Sequence, residues 1–542
     1  MMYPALEKVK EIAASGNYRR IPVSRELYAD RFTPMEVMRT LRAASRHCYL
    51  LESAENDQKW GRYSILGYEP VMEITCTDGN VRIRRNQTEE DAEEVTNNTA
   101  ASGNATYRTV AAVGNAAHDV AATPGNITYS NAESEEFDIL EEYTAAHPGK
   151  FIREILEKYK SPRIEGMPPF TGGMVGYFSY DYLKYAEPTL KLASAEGEDF
   201  RDMDLMLFTK ALVFDHYRQK LVLITGVDTE DVEASYRKAE TELADMASLL
   251  NSGAKAVFRP LKLKEELKPD FSRERYTRMV ERAKHYIHEG DIFQVVLSNP
   301  QTAKAEGSLF DTYRVLRTSN PSPYMFYFSS DDVEIAGASP ETLVKLENGK
   351  LYTFPLAGTR PRGKTEEEDL KLEEELLQDE KELAEHNMLV DLGRNDIGRI
   401  SRPGSVKVEK YCSIERFSCV MHIGSTVSGQ IREELDGLDA VDSILPAGTL
   451  SGAPKIRACQ IIQELEGRKR GIYGGAVGYL DFTGNLDTCI GIRLVYKKNG
   501  KICVQSGAGI VADSVPEKEY QECCNKAKAM VQAVLTAQEG LE

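Results

Sequence analysis

Two segments of the chain place pairs of carboxylates one helical turn apart. Glu382 and Glu385 lie in DEKELAEHNMLVDL, and Glu519 and Glu522 repeat the same spacing in VPEKEYQECCNKAKAMVQAV. Residues i and i+3 lie on one face of a helix, where like charges repel one another. A hard cation such as Mg²⁺ takes oxygen ligands, so two such faces could hold one ion between them. The spacing alone leaves open the alternative that both faces are simply solvated.

The second pair lies beside an apolar stripe on its helix. Lys526 follows Glu522 by four residues on the same face, and the stripe is formed by Tyr520, Cys523, Ala527, Met530, Val531 and Val534. An amphipathic helix buries its apolar face, so these acids are expected at the edge of the core.

Two glycine-rich stretches, GIYGGAVGYLDF and VQSGAGIVADS, follow apolar runs typical of strands. Bare backbone N–H groups there could approach an anion closely, although turn and bulge glycines are the alternative. Neither stretch matches a nucleotide-binding fingerprint. His422, Arg493, Arg360 and Arg362 lie among apolar or glycine neighbours, and a single strand histidine can equally be a core residue.

Bulk properties narrow the class of protein. The chain has 542 residues, 42% of them hydrophobic, which exceeds one ordinary domain. A net charge of -18 argues against a nucleic-acid surface. The nine cysteines form no CxxC pair and suggest neither zinc nor disulfides. No apolar run reaches the roughly 18 residues of a membrane span, so we expect a soluble, cytoplasmic protein without a membrane partner.

The elements that must position these residues change in character along the chain. Runs such as VMEITCT and KLVLITGV predict antiparallel strands before residue 260, and residues 86–136 are too poor in large apolar side chains to order, which predicts a mobile insertion. KAVFRPLKLKEELKPD is a plausible linker. Beyond it the pattern is α+β, and TEEEDLKLEEELLQDEKELAEHNMLVDLG predicts one long helix.

The order of motifs after residue 270 resembles the chorismate-utilising enzymes. The resemblance is carried by SPETL, PLAGTRPRGKT, DEKELAEHNMLVDLGRNDIGR, VMHIGSTVSG, LPAGTLSGAPKIRA, GIYGGAVGYLDF, DTCIGIRL and QSGAGIVADSVPEKEYQEC. It implies an α+β fold with two layered antiparallel β-sheets flanked by helices. Residues 261–542 would form the chorismate-binding catalytic domain, and residues 1–260 an N-terminal regulatory portion.

The resemblance also implies roles for individual residues. The Mg²⁺ carboxylates fall on the four glutamates already singled out, Glu382, Glu385, Glu519 and Glu522. Glu341 would act as general acid at the C4 hydroxyl of chorismate, and His422 would assist proton removal at C2, with Thr449 completing the pocket. The ring carboxylate of chorismate would reach the Mg²⁺, and Lys526 would complete the pocket together with Thr449. The enolpyruvyl carboxylate would be held by Tyr473, Arg493 and the backbone N–H groups around Gly507, Ala508 and Gly509.

Two positions favour one reaction within this family. Isochorismate and salicylate synthases use a lysine where this chain has Gln294, and aminodeoxychorismate synthases carry a lysine where PLAGT has Ala357. A neutral amide cannot take a proton from water, and alanine cannot capture the ring covalently. The resemblance therefore implies amination of chorismate by ammonia to anthranilate and pyruvate. Those sister reactions, and a non-catalytic chorismate or tryptophan sensor, remain the alternatives.

Two further segments resemble the tryptophan feedback site of the aminating members. They are LLESAE, which contains Ser53, and NPSPYMFYF, which contains Pro323, Tyr324 and Met325. An apolar cavity with a few polar anchors suits an indole amino acid, although LLES alone could be a buried strand end. The chain shows no glutaminase signature. The resemblance therefore implies a separate glutamine amidotransferase subunit as partner and source of ammonia.

Overall fold

The computed structural model describes residues 2–53, 61–85, 137, 139–190, 200–416 and 420–541. The insertion predicted at 86–136 lies outside these described residues.

The helices of the described residues are distributed along the whole chain. They are α1 (Leu6–Ala13), α2 (Pro34–Ala44), α3 (Gly149–Lys158), α4 (Leu183–Ala186), α5 (Val232–Asn251), α6 (Arg273–His288), α7 (Phe310–Ser319), α8 (Glu366–Gln378), α9 (Glu380–Gly398), α10 (Gly437–Ile444), α11 (Lys455–Glu466) and α12 (Pro516–Ala537).

The strands alternate with these helices. They are β1 (Arg20–Tyr28), β2 (Cys48–Glu52), β3 (Tyr63–Tyr68), β4 (Met72–Thr77), β5 (Asn80–Arg85), β6 (Ile139–Thr144), β7 (Gly173–Phe178), β8 (Met203–Phe208), β9 (Ala211–Asp215), β10 (Lys220–Asp228), β11 (Lys262–Leu263), β12 (Lys268–Pro269), β13 (Gln294–Glu306), β14 (Tyr324–Ser329), β15 (Val333–Ser339), β16 (Thr342–Glu347), β17 (Lys350–Thr353), β18 (Leu356–Pro361), β19 (Lys407–Arg416), β20 (Val420–Gln430), β21 (Gly452–Ala453), β22 (Ala476–Asp481), β23 (Leu486–Ile490), β24 (Leu494–Lys498) and β25 (Lys501–Ile510).

These strands form two antiparallel sheets. The first has the order β1-β10-β9-β3-β2-β14-β15-β24-β25-β13-β11, and β12 and β21 also pair with β13. The second has the order β18-β20-β17-β16-β23-β22-β7-β8-β4-β5-β6, and β19 pairs with β20. The predicted α+β fold with two antiparallel sheets is confirmed.

The sheets pack face to face, and helices cover their outer sides. Strand β14 shows why: Phe326 and Phe328 join the apolar layer between the sheets, whereas Met325 and Tyr327 join the layer beneath α2, α5, α7 and α12. Successive side chains of a strand point to opposite faces, so a strand buried on both sides is apolar throughout. A third apolar layer lies between the second sheet and helices α3, α9 and α10.

Both sheets contain strands from both sides of residue 260. In the first sheet β2 pairs with β14, and in the second sheet β7 pairs with β22. A boundary at residue 260 therefore does not separate the two sheets. The regulatory and catalytic roles given to residues 1–260 and 261–542 stay predictions.

The helix predicted from TEEEDLKLEEELLQDEKELAEHNMLVDLG is two helices, so that prediction was wrong. Asp379 has extended backbone angles, and its carboxylate accepts hydrogen bonds from the N–H groups of Lys381 and Glu382. A carboxylate in this capping position satisfies N–H groups that the first turn leaves unpaired. Helix α9 is therefore separate from α8. It begins at Glu380 and carries both Glu382 and Glu385.

Among the described residues, no helix is both long enough and apolar enough to cross a membrane.

Candidate active site

The predicted catalytic acid lies where the chain passes from one sheet to the other. Glu341 occupies the link between β15 of the first sheet and β16 of the second. Its Oε1 accepts a 3.0 Å hydrogen bond from the hydroxyl of Thr449, which belongs to the short helical turn Gly448–Leu450. Burial raises the pKa of Glu341 to about 7, against the opposing effects of this hydrogen bond and the charge of Lys526. At neutral pH this carboxyl is therefore partly protonated and able to donate.

The four predicted metal carboxylates lie on α9 and α12, and their charges influence one another. Burial, and then repulsion from Glu382 and Glu522, raises the pKa of Glu385. Burial, together with the charge of Glu522, also raises the pKa of Glu519. Glu385 and Glu522 belong to different helices, so the charges of the two helices interact, whereas the spacing alone left this open.

Positive charge inside this cluster comes from lysine. The ammonium of Lys526 lies 2.6 Å from Oε1 of Glu522, and it also acts on Glu385, Glu519 and Glu341. Among the described residues, no three His, Cys, Asp or Glu side chains are arranged tightly enough to hold a metal ion. The four glutamates therefore have the chemistry of a hard-cation site but are not spaced as one, and a lysine ammonium lies beside Glu522.

His422 lies on β20 and contacts the PLAGT segment. Its Nδ1 is 2.8 Å from the carbonyl oxygen of Gly358 and 3.1 Å from the hydroxyl of Thr359. A carbonyl only accepts, so Nδ1 carries the hydrogen and the lone pair of the neutral ring is on Nε2. Burial lowers the pKa of His422, and the nearby charge of Arg493 lowers it further. The imidazole is therefore neutral near pH 7 and suited to accept a proton.

Gly358 and Thr359 are site residues that the sequence reasoning missed. A Cβ at Gly358 would lie 3.2 Å from Oε2 of Glu382, so this glycine lets His422 and the acidic face of α9 approach each other. Gly358 has a φ of +62°, which also favours glycine there. Gly358 and Thr359 both lie in PLAGTRPRGKT, one of the motifs that carried the family resemblance, and this position could have identified them as site residues.

Arg493 and Tyr473 form a second part of the site. Arg493 donates from Nη1 to the carbonyl oxygen of Lys526, which joins it to the α12 cluster. Burial lowers the pKa of Arg493, and the neighbouring Tyr473 opposes that effect. Burial raises the pKa of the Tyr473 phenol, so its hydroxyl stays protonated. The two side chains offer a guanidinium and a neutral hydroxyl donor.

The glycines of β25 lie beside these donors. A Cβ at Gly507 would be 2.9 Å from the hydroxyl oxygen of Tyr473, and a Cβ at Gly509 would be 2.8 Å from Nε2 of Gln294. A side chain at Gly507 or Gly509 would therefore collide with Tyr473 or Gln294, respectively. Gln294 itself is buried at the start of β13.

The register of β13 and β25 fixes the direction of the glycine N–H groups. Val296 and Ser298 pair with Gly509 and Gly507, but their own N–H groups donate elsewhere, to the carbonyl of Ser451 and the carboxylate of Glu466. In antiparallel pairs of this kind, both partners direct their N–H groups away from each other. Strand β24 pairs with β25 only as far as Val504, so the N–H groups of Gly507 and Gly509 point to its unpaired side.

The predicted effector segments are neighbours in the first sheet. Strand β2 pairs with β14 so that Glu52 lies opposite Met325, which brings Ser53 beside Tyr324. Among the described residues, Oγ of Ser53 is buried without a hydrogen-bond partner. Pro323 is buried, and Met325 points to the helix-covered face of the sheet, opposite to Tyr324.

Comparison with known proteins identifies the same enzyme family as the order of motifs did. A model of the chorismate binding enzyme family matches residues 109–532. Anthranilate synthase component 1 of Acetivibrio thermocellus is 42% identical over 99% of this chain and 100% of its own length. The protein of that name from Pseudomonas aeruginosa is 42% identical over 99% of both chains.

Solved structures agree. The crystal structure of anthranilate synthase component I from Streptococcus pneumoniae matches with a TM-score of 0.67 and 36% identity, over 87% of this chain and 92% of the other. A menaquinone-specific isochorismate synthase from Escherichia coli matches with a TM-score of 0.62 over 98% and 99% of the two chains. At 17% identity, this second likeness concerns the fold alone.

Proposed function

The chain belongs to the chorismate-binding enzyme family, and we propose that it converts chorismate and ammonia to anthranilate, pyruvate and water, as expected of an anthranilate synthase component 1. The observation that carries this choice is the pair Gln294 and Ala357. Gln294 lies against Gly509 at the predicted substrate pocket, and Ala357 lies beside Gly358, the partner of His422. Neither side chain can activate water or capture the ring, so ammonia is the nucleophile that the pocket suits.

The dianionic substrate needs local positive charge and N–H donors, because the protein as a whole carries a charge of -18. We assign the enolpyruvyl carboxylate to Tyr473, Arg493 and the N–H groups of Gly507 and Gly509. The buried position of Arg493 supports this role, since a guanidinium with little water around it interacts more strongly with an anion.

Glu341 and His422 suit the two proton transfers. As ammonia attacks C2 of the ring, Glu341 would donate its proton to the C4 hydroxyl, which leaves as water, and the ammonium formed at C2 would lose a proton that restores Glu341. Nε2 of His422 would then accept the C2 proton while the C3–O bond breaks. The enolpyruvate released takes up one proton on its methylene carbon, equal to the one that His422 accepted, and becomes pyruvate. The raised pKa of Glu341 and the lowered pKa of His422 give each group the protonation state its step requires near pH 7.

The donor set also fits Mg²⁺. Glu382, Glu385, Glu519 and Glu522 are hard oxygen donors, which Mg²⁺ prefers. Burial is the main cause of the raised pKa values of Glu385 and Glu519, and the charges of neighbouring glutamates raise them further. We assign the ion to these four carboxylates. When bound, it would supply positive charge for the ring carboxylate of chorismate.

The partner and regulation belong to the same proposal. Ammonia would come from solution or from a glutamine amidotransferase subunit, the anthranilate synthase component II, because this chain shows no glutaminase signature. Tryptophan would bind between the segments of Ser53 and Tyr324 and inhibit the enzyme. The amination would take place in the cytoplasm.

One incubation tests the reaction. The protein is mixed with chorismate, Mg²⁺ and ammonium at mildly alkaline pH, and the products are separated by chromatography. We expect anthranilate and pyruvate in equal amounts, and no anthranilate when ammonium is omitted. Isochorismate, or aminodeoxychorismate that accumulates without aromatisation, would instead assign the chain to a sister reaction.

A further inference from the structure

A buried ion pair between Arg470 and Glu466 lies behind the proposed substrate pocket. Their side chains are 1% and 0% exposed. Nε of Arg470 donates a 2.9 Å hydrogen bond to Oε2 of Glu466, and Nη2 donates to Oε1. Glu466 ends α11, and Arg470 follows four residues later. The mechanism proposed above uses neither side chain.

The remaining donors of Arg470 reach two segments of the pocket. Nη1 donates a 2.7 Å hydrogen bond to the carbonyl of Leu450, and Nη2 donates a 2.7 Å bond to the carbonyl of Val296. Leu450 follows Thr449, the partner of Glu341, and Val296 lies two residues after Gln294. One rigid, planar guanidinium therefore sets the distance between the turn that carries Thr449 and the strand that carries Gln294.

Glu466 binds β13 two residues further along, at Ser298. Its Oε1 accepts hydrogen bonds from the N–H of Ser298 at 2.7 Å and from the Ser298 hydroxyl at 3.0 Å. Because Ser298 turns its N–H towards Glu466, its partner Gly507 turns its own N–H to the opposite side. Gln505 also donates to the Ser298 hydroxyl, at 2.8 Å. The carboxylate thus supports the register that directs the Gly507 N–H into the pocket.

The guanidinium also contacts aromatic rings. Its central carbon lies 4.7 Å from the ring centroid of Tyr180 and 5.8 Å from that of Tyr473. Tyr473 is the residue whose hydroxyl lies against Gly507. The same side chain therefore also contacts a residue of the proposed carboxylate site, Tyr473.

Stability is a weak explanation for such a pair. Burying two charges costs desolvation energy, and well-packed apolar side chains of similar size often serve the fold as well or better. Outside the pair, the two side chains hydrogen-bond to Leu450, Val296 and Ser298, all on segments of the pocket. We propose that Arg470 and Glu466 are positioning residues, which hold Thr449, Gln294 and Gly507 in register for amination. This inference rests on the proposed function.

The test compares variants that separate positioning from folding. The double variant Arg470→Met with Glu466→Leu removes both charges and keeps a similar side-chain volume. Arg470→Lys keeps the positive charge but cannot donate to Glu466, Leu450 and Val296 with one planar group. Arg62→Lys is the matched control, because Arg62 makes a comparable two-point contact with Asp215, at 3.0 and 2.6 Å, away from the pocket. For each variant, the Tm, kcat and the KM for chorismate are measured.

We expect the double variant to fold with a Tm within a few degrees of the wild type. Its kcat should fall on the order of 100-fold, as for a small displacement of reacting groups, and more than its KM rises. Arg470→Lys should lower kcat in the same way, whereas Arg62→Lys should leave kcat unchanged. If the double variant does not fold, Arg470→Lys carries the comparison.

Wild-type kcat in a folded double variant or in Arg470→Lys would overturn the inference. The inference would also be overturned if kcat decreased only in proportion to the decrease in Tm across all variants. The wild-type enzyme, assayed in parallel, separates this outcome from failure of the proposed function. If the wild type makes no anthranilate, the function and the inference both fall, whereas an active wild type with equally active variants removes only the positioning role.

Discussion

The hydroxyl of Tyr324 donates a 2.9 Å hydrogen bond to Oδ1 of Asp487, across the space between the two sheets. The same hydroxyl lies 2.9 Å from Oγ1 of Thr342, the residue that follows Glu341. Tyr324 also lies beside Ser53 in the first sheet. A ligand held between the two predicted effector segments would therefore act on a side chain that is two contacts away from the proposed catalytic acid.

From this connection we predict that Ser53→Phe relieves inhibition by tryptophan while changing the uninhibited turnover little. The phenyl ring would add bulk at the place of the buried Ser53 hydroxyl, where tryptophan is proposed to bind. Ser53→Ala, which removes only the hydroxyl, is the control and should weaken inhibition by tryptophan less than Ser53→Phe does. Inhibition curves at fixed chorismate measure the difference. A Ser53→Phe enzyme that is still fully inhibited would remove the effector site from this place.

Calorimetry tests the same coupling without turnover. Linkage requires that chorismate lower the affinity for tryptophan by the same factor by which tryptophan lowers the affinity for chorismate. This factor is typically about 5- to 150-fold. Tryptophan is therefore titrated into the enzyme with and without chorismate, in the absence of ammonium. Equal tryptophan affinities in the two titrations would contradict the regulatory prediction.

For the metal, we predict that Glu522→Gln lowers turnover on the order of 100-fold or more and leaves the fold intact. The amide keeps the shape of the carboxylate but loses its charge. Glu517→Gln changes an equally exposed glutamate of the same helix that is outside the predicted donor set, so it is the matched control and should behave as the wild type. Binding of Mn²⁺, followed by electron paramagnetic resonance, gives a readout apart from activity. Full activity of Glu522→Gln, or of the wild type in excess chelator, would exclude this site.

For product choice, we predict that Gln294→Lys adds a product derived from water and that Ala357→Lys releases more of the aminated, non-aromatic intermediate. Each change supplies the amine that a sister reaction uses. Gln294→Met and Ala357→Met, which add length without an amine, are the controls. Chromatography of the products gives the ratios. Unchanged ratios in both lysine variants would mean that other residues direct the chemistry.

For pH, we predict that the rate at constant free NH₃ falls as the pH rises through about 7. Burial raises the pKa of Glu341 to about 7, so its donating, protonated form is abundant below that pH and lost above it. Below the lowered pKa of His422 the rate should fall again, because the imidazole becomes protonated. Glu341→Gln should reduce the rate by about 10²- to 10⁴-fold and abolish the alkaline decline. An alkaline decline that persists in this variant would assign it to another group.

The sequence was informative wherever a pattern is local. Glu519 and Glu522 lie one turn apart on α12, and the burial of Cys523, Ala527 and Met530 follows the predicted stripe. Strand β4, expected from VMEITCT, is confirmed in the same way. In these cases neighbours along the chain decide which face is buried.

Local patterns failed where a single side chain or a distant partner decides. Asp379 looks like any acid in a charged helical stretch, and only its hydrogen bonds to the next N–H groups end one helix and begin another. Glu466 and Arg470, four residues apart, resemble an ordinary exposed helical pair. Their burial depends on β13 and on the Leu450 turn, whose approach no periodicity encodes.

The pairing of β2 with β14 and of β7 with β22 has a consequence for synthesis on the ribosome. When Phe178 leaves the exit tunnel, its strand must wait for Ala476, some 300 residues later, which takes roughly 15 to 60 s at about 5–20 residues per second. During that interval β7 and β2 each have one neighbour, β8 and β3, but lack the other, so an apolar strand edge is exposed to which chaperones could bind. Codon changes that slow translation between these strands should therefore reduce the soluble yield without any change in the protein.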